Sequence, residues 1–420
     1  MFWIVLWSLF AAPTDASAPA VLAKVRAGVL DNLSRLPNCT CTQVIERSYR
    51  RGAKRPFENV DRVRLEVGYI DGKELFGWPG GERLGEKDLD RLVGGTITYG
   101  EFALAIRALF AGRSVAFGDM WEETYAGRAA HRFEFTVPRE GTDWILGIGG
   151  RFTPIGYHGS FWVDSDSLQL VELRITADDV PAELGYKAVT RDLQFQSVRI
   201  GTGEFLLPSR AEFSATERGG AENRNETRFH DCRQYAAERV VSFGPSATGA
   251  PGDAHAPRPA AAATLPEEFE ASLTLDTPID SDTSAIGDPI TASLQRSIKR
   301  ENETVVPKGA VLHGRITRLD MTGGRRYADL GFTYFEVDGG RIEVGGRINE
   351  LVALTRYVSN WQLISAAGPI RASGRHLVLA RGFPFFLKSA AAGKTQSKAQ
   401  PNEPAWLRES YDQIMKEGRR

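Results

Sequence analysis

Residues 159–176 read Gly-Ser-Phe-Trp-Val-Asp-Ser-Asp-Ser-Leu-Gln-Leu-Val-Glu-Leu-Arg-Ile-Thr. An apolar segment ends at Val163, the next four residues are only Asp and Ser, and a second segment rich in Leu, Val and Ile follows. Two apolar-rich segments of strand length on either side of a short polar run are typical of a β-hairpin. The stretch therefore predicts two antiparallel strands joined by a tight polar turn.

Further strands are predicted on both sides of this hairpin. Apolar and polar residues alternate at 62–69 and at 132–137, and two longer strands are predicted at about 188–200 and 204–217. A shorter strand is predicted to end near Cys232. Alternation with a period of two indicates strands that bury one face. The sequence therefore predicts a mainly β fold.

Two segments depart from this period and have helical spacing instead. Residues 19–36 carry apolar side chains three and four positions apart, and Pro37 ends the pattern. Residues 85–111 contain similarly spaced apolar residues, which predict one or two helices. We therefore expect a few helices that accompany the strands.

Length and composition define the domain organisation. The chain has 420 residues, 42% apolar and 25% charged, which excludes a wholly disordered or collagen-like protein. Residues 245–266 are rich in Gly, Pro and Ala and predict a flexible linker between a first domain, 21–244, and a second β domain, 267–388. Residues 389–420 predict a low-complexity spacer and a short C-terminal helix. The net charge of −1 argues against nucleic acid as a partner.

The N-terminal segment predicts export. Residues 2–12 are apolar but too few to cross a bilayer, as expected for the central part of a signal peptide. Small residues follow, with possible cleavage after Ala18 or Ala20, so we assign a signal peptide to 1–20. A buried N-terminal strand is the alternative. No later stretch has the length and apolarity of a transmembrane span, and we expect a periplasmic or otherwise exported protein.

Three cysteines fit an exported protein with one disulfide. Cys39 and Cys41 lie two positions apart on a predicted strand, share a face, and so do not bridge each other. Either of them can pair with Cys232, which leaves one free thiol; three unpaired buried thiols are the alternative. A C-x-C pair without a nearby histidine is a poor zinc site.

Recognisable catalytic signatures are missing from the sequence. Asp164-Ser-Asp166 and Asp280-Ser-Asp282 resemble the start of a calcium loop but lack its later glycine and glutamate. The six histidines are widely separated along the chain and form no local ligand pair. We therefore predict no metal, no cofactor and no enzymatic activity, with a hydrolase whose site is assembled from distant residues as the remaining alternative.

The order of these elements resembles the LolA/LppX/RseB group of periplasmic proteins. The resemblance rests on the N-terminal helix, the strand with Thr40-Cys41-Thr42-Gln43, the strand at 62–69, and Phe161-Trp162-Val163-Asp164 at the hairpin. It covers about 22–243. It implies a curved, unclosed antiparallel sheet, a half-barrel, with helices that cover its concave side.

Two further resemblances concern the cysteines and the second domain. The segments at 193–198 and 205–209 resemble uncharacterised exported proteins common in acidobacteria, in which cysteines matching Cys41 and Cys232 occur together. That resemblance implies a Cys41–Cys232 disulfide and an extra Cys39. Residues 287–292 and 306–314 are similar to the TrbI-type β-barrel, which implies a small β-barrel or sandwich for the second domain.

These observations favour a binding protein that holds an apolar ligand, such as a lipid or acyl chain, on its curved sheet. A structural or protein-interaction module of the cell envelope, with an envelope protein as partner, is the alternative. The candidate ligand-lining residues are Leu65, Val67, Phe133, Phe135, Trp144, Leu193 and Phe195.

Overall fold

The computed structural model describes residues 17–81, 84–85, 93, 95–148, 151–235, 265–266, 268–344, 348–353, 370–373 and 376–389. The described part consists mainly of β-strands, with two α-helices, and this confirms the mainly β fold. The predicted signal peptide up to residue 16, most of the predicted linker and the predicted C-terminal helix lie outside the described residues.

Ten strands between residues 39 and 234 form one antiparallel sheet that curls into a half-barrel. The strand order is β3-β2-β1-β12-β11-β10-β9-β8-β5-β4, and the two end strands do not pair with each other, so the sheet stays open. A separate two-stranded hairpin, β6–β7, projects from the connection between β5 and β8. The twelve strands are β1 (Cys39–Arg50), β2 (Glu58–Ile70), β3 (Lys73–Gly77), β4 (Ala116–Tyr125), β5 (Arg128–Val137), β6 (Ile145–Ile148), β7 (Arg151–Pro154), β8 (Tyr157–Asp164), β9 (Leu170–Ala177), β10 (Tyr186–Ile200), β11 (Gly203–Glu217) and β12 (Glu222–Gln234).

The hairpin predicted at 159–176 is formed by β8 and β9. One carboxylate oxygen of Asp164 accepts hydrogen bonds from the backbone N–H groups of Asp166, at 3.1 Å, and Ser167, at 2.9 Å. The Ser167 hydroxyl donates to the same oxygen at 3.0 Å. These local bonds to the side chain of Asp164 explain why a run of Asp and Ser reverses the chain here.

Two helices cover the concave face of the sheet. Helix α1 (Ala18–Arg35) begins with Pro19 in its first turn and buries Val21, Val25 and Val29, in agreement with the predicted helix at 19–36. Helix α2 (Leu104–Ala111) buries Ile106, Leu109 and Phe110. It accounts for the later part of the helical segment predicted at 85–111; residues 86–92 lie outside the described part.

A disulfide joins β1 and β12, which come first and last along the chain among the strands of this sheet but are neighbours within it. Cys41 and Cys232 are bonded, with a Cα–Cα distance of 4.0 Å, across the antiparallel pairing of β1 with β12. The pairing Cys41–Cys232 implied by the resemblance is therefore confirmed. Cys39 is a buried free thiol. The two cysteines are 191 residues apart in the chain. The bond therefore links two strands whose pairing no local sequence pattern specifies.

Eight strands between residues 270 and 389, the range predicted as the second domain, form a further antiparallel sheet. Its order is β20-β19-β18-β15-β13-β24-β21, with β22 paired to β19 off this path. Two small pairs, β14–β23 and β16–β17, belong to the same range. The strands are β13 (Glu270–Leu275), β14 (Ile279–Asp280), β15 (Pro289–Leu294), β16 (Ile298–Arg300), β17 (Glu303–Val306), β18 (Val311–Asp320), β19 (Arg325–Val337), β20 (Gly340–Glu343), β21 (Ile348–Ala353), β22 (Ile370–Ser373), β23 (Val378–Leu379) and β24 (Pro384–Ser389).

The segment at Ile286 covers an open edge of the first sheet. Strand β3 pairs with β2 only from Glu66 onward, which leaves the earlier part of β2 without a strand on that side. There Ile286 forms a parallel bridge with Val63, with backbone hydrogen bonds of 2.8 Å to Arg62 and Arg64. Leu265, at the end of the predicted linker, is also buried. The segment before β15 is thus in direct backbone contact with β2, which protects a sheet edge that would otherwise be exposed.

Candidate functional site

The concave face of the first sheet presents a continuous buried row of side chains. Antiparallel pairing aligns one inward-facing residue from each of eight neighbouring strands, β2, β1, β12, β11, β10, β9, β8 and β5. Each of them is at most 2% exposed, and only one is polar. The row consists of Val63, Ile45, Thr227, Ala211, Leu193, Leu173, Phe161 and Phe133. The half-barrel therefore has an apolar floor that extends across most of its width.

The candidate lining residues all belong to the core that this floor forms. Six of them are buried, whereas Phe195 is half-buried and packs against the same core beside a register shift in β10. The buried six are Leu65, Val67, Phe133, Phe135, Trp144 and Leu193. Their role in binding a ligand stays a prediction, because their burial is equally compatible with a packed core.

An aromatic cluster occupies the β5–β8 end of this interior. The Phe161 ring lies 5.1 Å from Phe133 and 6.3 Å from Phe135, measured between ring centroids. Phe110 of α2 packs on Phe161 from above at 5.2 Å, and Phe117 of β4 adds a further contact. The rings of Phe110, Phe133, Phe135 and Phe161 are each at most 2% exposed, so aromatic side chains fill this end of the interior.

A small number of polar contacts hold the covering helices. The Arg26 guanidinium in α1 donates to the carbonyl of Phe110 in α2 at 2.7 Å. The Asn32 side-chain amide donates to the carbonyl of Leu206 at 3.0 Å and accepts its N–H at 2.8 Å. These bonds join α1 to α2 and to β11 while the apolar faces of both helices rest on the sheet.

Glu74 of β3 holds the start of α2. Its carboxylate accepts the backbone N–H groups of Gly100, Ala103 and Leu104 at 3.1, 2.7 and 2.9 Å. Burial raises the pKa of Glu74, and the three backbone donors oppose that rise. A carboxylate at this position satisfies N–H groups that a helix leaves unpaired and also complements the helix dipole.

Arg191 of β10 is a buried cation on the same concave face. It precedes Leu193 by two positions, is 7% exposed, and its guanidinium lies 5.1 Å from the centroid of the Trp144 ring. Burial lowers its pKa, and the nearby carboxylates of Glu101 and Glu74 oppose the decrease. The sequence contained a signal for it, since Val189-Thr-Arg191-Asp-Leu193 places a charge at an inward position of an alternating strand.

A second polar group lies near the contact of Ile286 with β2. Ligand atoms of Asp280, Asp282 and His376 lie within 4.8 Å of one another and could hold a metal ion. His376 Nε2 is 2.6 Å from an Asp280 carboxylate oxygen. Burial opposes ionisation of Asp280, but the Asp282 N–H, His376 and Arg62 outweigh it and hold its pKa below the usual value. His376 is 96 residues from Asp280, so no local spacing could reveal the group.

The histidines do not form a nucleophile–base pair in the described residues. His158 contacts Asp178 and His230 contacts Asp231, but no described serine, threonine or cysteine side chain is hydrogen-bonded to a histidine. This arrangement offers acid–histidine pairs at the surface without an activated nucleophile beside them. Within the described residues, no helix is long and apolar enough to cross a bilayer.

The fold and these groups define an open, curled antiparallel sheet with helices over an apolar concave face. No protein-family profile and no curated protein matches the sequence. Solved structures that match include a DUF1329 family protein from Desulfovibrio piger, at 14% identity and a TM-score of 0.30 over 54% of this chain and 96% of that one. Lipoprotein LppX from Mycobacterium tuberculosis also matches, at 14% identity and a TM-score of 0.19 over 51% and 97%. LppX is a member of the group that the sequence resembles, and at such TM-scores no conclusion follows from either match.

Proposed function

We propose that this protein is an exported binding protein that holds an apolar ligand, such as an acyl chain, between its curled sheet and helices α1 and α2. The observation that carries the proposal is the buried apolar floor shared by eight strands. Only two helices, of 18 and 8 residues, cover it among the described elements. A wide apolar floor under a small helical cover is a surface that an acyl chain can share once the cover moves.

The attachment of the cover supports this proposal. Exposure of the apolar floor to water is unfavourable by roughly 25 cal/mol per Å², so the helices return to it unless an apolar ligand replaces them. The polar contacts that fix α1, at Arg26 and Asn32, are few and directional. A protein of this design serves as a carrier or a sensor, since ligand occupancy and helix position are coupled.

Export is part of the same proposal. The apolar segment at 2–12 precedes α1, as a signal peptide would. The Cys41–Cys232 disulfide is the type of bond that persists in an oxidising compartment. A periplasmic or otherwise exported location also gives the protein access to envelope lipids.

The binding proposal is tested with a fluorescent long-chain fatty acid and the purified mature protein. Asn32→Ala removes both bonds between α1 and Leu206, so we expect faster probe uptake than in the wild type. Ser34→Ala, two positions away on the exposed side of α1, is the matched control and should leave uptake unchanged. If folded wild type and folded Asn32→Ala both fail to bind the probe, the proposed function is wrong.

A second candidate, a protein-interaction module of the envelope, is favoured by the β6–β7 hairpin. Its Ile145 and Phe152 side chains are 54% and 73% exposed, unusual for large apolar residues on a projecting hairpin. A photo-crosslinking residue at position 152, produced in living cells, should capture one defined envelope protein. The same residue at Val378, which is 41% exposed in the second domain, is the control. Equal or absent crosslinking at both positions counts against this candidate.

A further inference from the structure

Arg191 is buried without the partners that a buried cation requires. Its Nε atom is inaccessible to solvent and has no hydrogen-bond partner. None of the described residues forms an ion pair with its guanidinium. Among the described residues, its guanidinium makes a cation–π contact with the Trp144 ring. Guanidinium groups carry five N–H donors, and their burial is unfavourable unless those donors are satisfied. An anionic oxygen group is what this position lacks.

The nearest carboxylates do not satisfy Arg191 directly. Glu74 uses its oxygens on the backbone of α2. Glu101 accepts a hydrogen bond from the Thr98 hydroxyl through one oxygen, while its other oxygen is buried and has no partner. Glu101 acts on Arg191 electrostatically, but without a direct ion pair. The interior therefore contains a buried cation and a buried carboxylate that interact electrostatically without a direct ion pair.

The two groups belong to different parts of the molecule. Arg191 is fixed on β10 of the sheet, whereas Glu101 lies immediately before α2, in the cover. If α2 moves away to admit a ligand, Glu101 moves with it, and Arg191 loses that negative charge. A ligand with an anionic head group would replace Glu101 as the counter-ion at that moment.

The surroundings of Arg191 are also suitable for the head of an acyl ligand. Leu193 continues the apolar floor on the same face of β10. The Trp144 ring packs against Tyr157, with ring centroids 5.7 Å apart. Burial raises the pKa of Tyr157 to about 12, Asp143 adds to the rise and Arg191 opposes it, so its hydroxyl stays protonated and able to donate. One cation and one neutral donor thus border the apolar floor.

From this arrangement we infer that Arg191 binds the anionic head group, a carboxylate or phosphate, of the apolar ligand, in place of Glu101 of the cover. The inference rests on the proposed function, because it assigns the head-group position of that same site. It identifies the ligand class as acyl chains that end in an anionic oxygen group, rather than neutral lipids.

The test compares three probes with one chain and one fluorophore: a fatty acid, an alkyl phosphate and the primary alcohol. We expect the wild type to bind one or both anionic probes at least about tenfold more tightly than the alcohol, the size of effect typical of a charge-assisted hydrogen bond. The relative affinity of the acid and the phosphate identifies which head group is preferred. Equal affinity for all three probes overturns the inference but leaves the proposed function intact, whereas no binding by the folded protein overturns both.

Two variants test whether the preference for anionic probes arises at Arg191. Arg191→Met should abolish the preference for anionic probes while alcohol binding remains. Glu101→Gln removes the competing charge of the cover and should increase the preference severalfold. Arg199→Met, on the same strand but with a side chain that is 77% exposed, is the matched control and should behave as wild type. If Arg191→Met does not fold, the test rests on the ratio of anionic-probe affinity to alcohol affinity in the wild type and in Glu101→Gln. If this ratio is the same in Glu101→Gln as in the wild type, the inference is contradicted.

Discussion

Cys41 and Cys232 connect two strands that the chain brings together only after 191 residues. In the chain-entropy description, a bridge over a loop of this length stabilises the folded state by about 5 kcal/mol. We therefore expect the free energy of unfolding, measured by urea denaturation, to fall in the double variant Cys41→Ala/Cys232→Ala by a large part of this stabilisation. The control is Cys39→Ala, which removes a buried but unbonded sulfur and should lose only about 1 kcal/mol. Similar losses in both variants would contradict this account.

Asp192, on the convex side of β10, should make stability depend on pH. Burial raises the pKa of Asp192 to about 6; Arg174 opposes this rise, and Glu172 and Glu212 add to it. In the unfolded chain the same carboxyl has its ordinary lower pKa, so the folded state binds the proton more tightly. The contribution of Asp192 is therefore favourable to folding at low pH and is lost as pH rises through about 6.

The variant Asp192→Asn tests this sign. We expect its free energy of unfolding to exceed that of the wild type at about pH 8 and the difference to shrink as the pH falls towards about 3, where the carboxyl is largely protonated in both states. The side chain of Asp192 is 46% exposed, so solvent screening keeps the effect modest. A variant that is less stable at the higher pH would contradict the prediction.

At the scale of single elements, α2 depends on Glu74. Three backbone N–H groups at its start have this carboxylate as their acceptor. Glu74→Ala leaves these buried donors unpaired, so we expect a loss of about 3 kcal/mol or more and faster hydrogen exchange over 100–111. Lys73→Ala, at the neighbouring exposed position of β3, is the control. Unchanged exchange in this segment would show that α2 is held by its apolar face alone.

The elements also show how much could be predicted from the sequence. The β8–β9 hairpin and helix α1 were predictable because their periodicity and turn residues are local. Strand β12 was predicted as a shorter strand that ends near Cys232, and it has 13 residues against 15 in β10 and β11; its inward positions include the polar Asn225 and Thr227. Asn225 is tolerated there since its amide donates to the Thr96 carbonyl at 3.0 Å. Such compensation comes from a distant loop, and a local pattern does not contain it.

The same limit applies to the candidate site. Alternation identified most of the apolar lining, including Phe133, Phe135 and Leu193, because each faces the core from a regular strand. The unpaired state of Arg191 depends on Trp144 and Glu101, which come from two other parts of the chain. Pairing between strands far apart in sequence decides which charges meet, and one sequence without its fold does not supply that pairing.

At the scale of the whole molecule, backbone hydrogen bonds join β2 to the part of the chain predicted as the second domain. Ile286 bridges Val63, and the Met321 N–H donates to the Val60 carbonyl at 2.8 Å. Gly287 has a φ of +99°, and an added Cβ would come within 2.4 Å of the Arg64 carbonyl oxygen and of the Trp78 ring. The contact therefore requires glycine for two reasons, its left-handed backbone and the close approach of β2.

Limited proteolysis tests both the predicted domain boundary and this contact. We expect the first cleavage within 246–266, because a segment rich in Ala, Pro and Gly has little apolar surface to offset its ordering entropy. The two fragments should remain folded and elute together in gel filtration, held by the contact with β2. In Gly287→Val the same cleavage should give fragments that separate, whereas Gly309→Ala, at an open turn of the second domain, should leave them associated. First cleavage inside either domain would overturn the boundary, and fragments that separate in the wild type would show that the contact at Val63 is too weak to join the domains.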